Sequence, residues 1–83
     1  MKTEEIVIAI IREQSQIIGE TLAISVAQSS GVLHSSSSLD DIRITNPDST
    51  YVLDSLVGSY EKLFGKASVE VCQNVIKRYI KVD

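Results

Sequence analysis

Apolar side chains recur through residues 4–28 with a helical period. At 100° per residue Ile6, Ile10, Ile17 and Ile24 fall together, with Val7, Ile11, Ile18 and Leu22 beside them. Glu5, Arg12, Glu13, Gln16 and Glu20 collect on the other side. The pattern predicts one amphipathic helix over about 3–29, roughly seven turns at 3.6 residues per turn. Its opening run, Ile6–Ile11, is rich in β-branched residues that favour strands. The phase nevertheless continues through Leu22, which decides for helix.

The apolar arc of this predicted helix spans roughly 200°, whereas a surface helix needs only a stripe somewhat over 100°. One neighbour would not cover it. Gln14, Thr21 and Ser25 run along the middle of the arc, between aliphatic ridges. Such a polar seam either fixes the register of a helical interface, because buried amides and hydroxyls must find partners, or bonds to backbone carbonyls a turn earlier. The first alternative makes Ile10, Gln14, Ile17, Ile18, Thr21, Ile24 and Ser25 a candidate interface.

Gly31 suits a left-handed position after Ser29-Ser30 and closes the first helix. Over about 31–45, Val32-Leu33-His34 and Ile42-Arg43-Ile44-Thr45 flank the polar stretch Ser35–Asp41. That stretch reads as a small β-hairpin or as an irregular loop. Asn46-Pro47-Asp48 then gives an N-cap, a proline at the first helical position and an acid in the first turn. A second helix is expected over about 47–64. Val52, Leu53, Leu56, Val57, Tyr60, Leu63 and Phe64 lie on one side of it, and Gly65 ends or kinks it. Ser68 is placed to cap a third helix over about 67–81, whose apolar face holds Val69, Val71, Cys72, Val75, Ile76, Tyr79 and Ile80. No internal repeat is evident. The expected fold is mainly α, with a long first helix followed by a helical hairpin, in one domain over 1–83.

Composition changes this picture in one respect. The apolar share, 43%, is enough for a folded core, but it is carried by eleven Ile, nine Val and six Leu with no Trp and one Phe. A core without large rings is assembled from many branched side chains or extended across an interface. At 83 residues the chain is only just above the size at which a core usually needs supplementing, about 70–80 residues. A homodimer is the commonest closed solution.

Net charge is −3, with the acidic side chains concentrated in the middle and a small basic excess at the end. Phosphate-backbone binding needs Lys and Arg clustered on one face. Lys77, Arg78 and Lys81 close a helix, where cations also complement its dipole, so nucleic acid is not the expected partner. A single cysteine gives no internal disulfide, and the longest apolar run is well short of the ~20 residues that span a bilayer. A cytoplasmic location is the simplest reading.

Candidate chemistry is sparse. His34 and Cys72 are the sole histidine and cysteine, too few for a soft-metal ligand set, and Cys72 falls on an apolar arc where a thiol is an inert hydrophobe. Asp40, Asp41 and Asp48 lack the spacing of a calcium loop. No cofactor is implied. An enzyme acting on an anionic substrate would need converging cations, for which Arg12, Arg43 and Lys62 are the candidates. A small-molecule sensor with a site between the helices is the other alternative. The leading expectation is a non-enzymatic protein-interaction or regulatory module that self-associates through its first helix.

Overall fold

A computed structural model of the chain describes residues 3–33, 42–44 and 48–80. The fold is mainly helical, as the periodicity predicts, but it has four helices among the described residues and not three: α1 (Thr3–Ile18), α2 (Glu20–Ser29), α3 (Ser49–Phe64) and α4 (Lys66–Ile80). A continuous helix from 3 to 29 would be about 40 Å long at 1.5 Å per residue. The largest dimension of the molecule is 35 Å.

The predicted long helix breaks at Gly19. Its φ of 93° and ψ of 150° lie in a region that is essentially closed to residues with a Cβ. The Gly19 N–H still donates to Ser15 O, at 2.9 Å, and its carbonyl accepts from Ala23 N, at 3.0 Å. One residue therefore ends one helix and begins the next. The chain then doubles back: Leu33, just past α2, forms an isolated antiparallel bridge with Ile44, and the Ile44 N–H donates to the Glu4 carboxylate at the start of α1, at 3.4 Å. The wide apolar arc is thus shared between two helices that pack on each other. On α1 the buried residues Ile6, Val7, Ile10, Ile11 and Gln14 cover only about 140°, an ordinary one-sided stripe.

The second half repeats this plan. A shift of 46 residues, the separation of the contacting pair Thr3 and Ser49, carries α1 and Gly19 onto α3 and Gly65. Gly65 has φ 79° and ψ −163°, again open to glycine alone. The internal repeat missed by the sequence reading is structural: between 3–29 and 49–75, glycine at the turn is the one identity. The correspondence holds for the first helices and their turns; the second helices bury different positions, Ile24 being inside where Glu70 is exposed. α1 packs on α4 as α3 packs on α2, α1 meets α3 directly, and α2 and α4 have the least contact. The Thr3 and Ser49 hydroxyls, equivalent to each other, are hydrogen-bonded where the first helices of the two halves begin.

Two terminal details differ from expectation. Asp48 is the N-cap of α3, its carboxylate accepting from Tyr51 N at 3.2 Å, so the acid caps the helix from outside and does not occupy the first turn. Ser68 lies within α4 and is buried. Gly65 alone makes the turn, so the helix is already under way when Ser68 is reached. Whether Ser35–Asp41 forms a hairpin or a loop falls on residues outside those described, as do Asn46 and Pro47.

The core is aliphatic, built from the inward stripes of α1 to α4 with Val32, Leu33 and Ile42 closing one end. No described helix is long and apolar enough to cross a membrane.

Candidate functional site

Two features stand out at the end of the molecule where both glycine turns lie. The first is internal. Gln14, five residues before Gly19, is fully buried. Its Nε2 donates to Ser68 O at 3.1 Å and to Cys72 Sγ at 3.5 Å, and its Oε1 accepts from Ser68 Oγ at 3.4 Å. Tyr60, five residues before Gly65, is also fully buried, and its hydroxyl donates to Ala23 O at 2.7 Å. Each half therefore sends one polar side chain from its first helix onto a backbone carbonyl of the other half's second helix. Burying an amide or phenol is tolerable because each finds partners, and no described buried side-chain polar atom lacks one. Burial pushes the Tyr60 phenol well above its ordinary pKa, and the neighbouring Cys72 thiol adds to the shift. Cys72 is raised mainly by burial, opposed by its bond from Gln14. An inert, protonated thiol is the result.

The second feature is external. On α1 the inward stripe Ile6–Ile10 continues in phase to Ile17, and on α3 the stripe Val52–Leu56 continues to Leu63. The first four side chains are fully buried. Ile17 and Leu63, at equivalent positions, are 65% and 60% exposed. Both stripes run out of the molecule in the last turn before their glycine. The cross-ties bring the two turns to one end, because Gln14 and Tyr60 each lie one turn or so before a glycine and bond to a residue just after the other one. Ile18 and Phe64 are half-buried beside them, and Leu22, in the first turn of α2, is 45% exposed.

The seven residues of the sequence-predicted interface are consequently divided. Ile10, Gln14 and Ile24 are inside the monomer, Ile18 is half-buried, and Ile17, Thr21 and Ser25 are exposed. Gln14 is not in a seam with Thr21 and Ser25, because Gly19 turns α2 away from the line of α1. Arg12, Arg43 and Lys62 are exposed on three different segments, and Arg43 Nη1 is turned back onto Ile42 O at 2.9 Å. His34 lies outside the described residues. Gly58, inside α3, faces open space.

No family model, curated protein or solved structure matches the chain. Sequence reasoning missed Leu63 as the counterpart of Ile17. A faint signal was present in Ile17-Ile18-Gly19 and Leu63-Phe64-Gly65, where paired apolar residues run directly into a glycine, but Leu56-Val57-Gly58 inside α3 shares it and makes no turn.

Proposed function

We propose that this chain is a small protein-interaction module that associates with another copy of itself, and that the contact is made at the turn end and not along the whole of the first helix. One observation carries the reading: Ile17 and Leu63 each lie in line with a buried core stripe yet stand mostly exposed. A single exposed aliphatic side chain is ordinary. Two at equivalent positions of the two halves, at the same end of the molecule as the exposed Leu22 and the half-buried Ile18 and Phe64, are a concentration of apolar surface of the kind that marks interaction sites.

Five apolar side chains are few against the roughly 20–30 residues a side of a standard interface, so the association is expected to be weak and reversible. Light scattering and sedimentation velocity from micromolar to millimolar concentration test it. The mass is expected to rise towards the dimer with concentration. Ile17→Asp is expected to hold the chain at monomer mass with an unchanged helical circular dichroism spectrum, since the side chain is outside the core. A monomer throughout the range for the unaltered protein overturns the proposal.

A further inference from the structure

The two glycine turns correspond in backbone and in the exposed Ile17 and Leu63 before them, but not in charge. Gln16 and Glu20 flank the Gly19 turn, and Lys62 and Lys66 stand at the equivalent positions around Gly65. All four are exposed, and the ion pair among the described residues, Arg78–Glu13, uses none of them. Just after the glycine the first turn therefore carries a carboxylate, Glu20, where the second carries an ammonium, Lys66, while Lys62 has the exposed Glu61 beside it. Two copies meeting end to end have two registers available. In one, each turn faces its own counterpart, Gly19 end on Gly19 end. In the other, the Gly19 end of each copy faces the Gly65 end of its partner. Ile17 matches Leu63 in position, and Ile18 is matched by Phe64, whereas exposed Leu22 has buried Ser68 as its counterpart, so the registers differ in apolar contact as well as in charge.

Charge separates them. The like-on-like register sets Glu20 against Glu20 and Lys66 against Lys66, and like charges facing each other at an interface are costly. We infer that the occupant of this face is a second copy held in the crossed register, with Glu20 of each copy facing Lys66 of the other. An isologous interface must be self-complementary, and Glu20 and Lys66, opposite in charge at equivalent positions beside the exposed Ile17 and Leu63, meet that requirement in the crossed register. The inference rests on the self-association proposed above and adds its orientation.

The test uses the full chain with Glu20→Lys, Lys66→Glu and the double exchange, each checked for unchanged helicity and followed by sedimentation equilibrium at low salt. Crossed pairing predicts that each single exchange weakens self-association at least about tenfold, because both symmetry-related contacts become repulsive. The double exchange, and an equimolar mixture of the two single variants, are expected to return to within about threefold of the original, and molar salt to shrink all these differences. Single variants that associate as well as the unaltered chain, with a mixture tighter than it, establish the like-on-like register and overturn this inference alone. Unchanged association in every variant and mixture also overturns it, while leaving self-association standing. An unaltered chain that remains monomeric at millimolar concentration overturns both.

Discussion

The two halves of the molecule solve one problem with different chemistry. In the first half, α1 turns at Gly19 into α2, and an amide at Gln14 reaches across to α4. In the second, α3 turns at Gly65 into α4, and a phenol at Tyr60 reaches across to α2. Aliphatic stripes are buried at matching positions, yet the sole identical residue is the turn glycine. The comparison teaches that this fold requires apolar phase, a residue able to adopt positive φ, and one cross-tie per half. It does not require particular side chains to make the tie.

The cross-ties are the place to break the equivalence. Tyr60 is the largest fully buried side chain among the described residues, and Tyr60→Ala is expected to cost about 4 kcal/mol through the cavity it leaves. Gln14→Ala should cost about 2 kcal/mol, from lost packing and an unsatisfied Ser68 hydroxyl. Urea unfolding measures both. Equal losses would mean that the halves contribute alike in spite of their chemistry.

Substitution of the turns is expected to act more evenly. Gly19→Ala and Gly65→Ala force a Cβ into backbone regions that strain it by about 1–3 kcal/mol, although neither Cβ meets a neighbour. Gly58→Ala, inside α3 and facing open space, should instead stabilise by up to about 1 kcal/mol. Thermal melting of the three variants separates backbone strain at the turns from the ordinary cost of a helical glycine. A stabilising Gly19→Ala would show that the turn is not held by its glycine.

The smallest expected effect is the most selective. Tyr60→Phe removes one buried hydrogen bond, about 1 kcal/mol at neutral pH. Because the folded phenol and the Cys72 thiol both hold their protons more tightly than ordinary, the unfolded chain ionises first as pH rises. Stability of the unaltered protein should therefore be intact below about pH 8.5 and decline above it, more steeply past pH ~10, where an ordinary phenol ionises. Tyr60→Phe lacks the phenol's share of that decline, so its deficit should narrow above pH 10. A constant deficit across urea midpoints at neutral and alkaline pH would contradict the burial assigned to the hydroxyl.

Much of this was legible from residue pattern. The helical phases of Ile6–Ile18 and Val52–Phe64 were plain because apolar residues recur at three and four. The turn at Gly65 was legible because polar residues and a new cap candidate followed it. Gly19 was not, because Ile24 falls back in phase with Ile10 and Ile17 and the helical period reads straight through a one-residue break. The candidate interface is divided for the same reason, with Ile10, Gln14 and Ile24 inside: Gln14 and Thr21 share an arc on a continuous helix and separate on a folded one. Ser68 read as a cap because a hydroxyl before an apolar run has that signature, which carries no information about an amide arriving from α1.

The sequence by itself determined that the chain is mainly helical, which faces of its helices are apolar, and that the core is aliphatic, since these depend on local period and composition. Only the tertiary structure decided that one predicted helix is two, that the first helices and turns of the halves correspond and that Gln14 lies inside while Ile17 lies outside. A glycine's φ and ψ are chosen by the packing on either side of it. Burial depends on where each helix ends relative to its neighbours, and neither quantity is recorded in the order of residues.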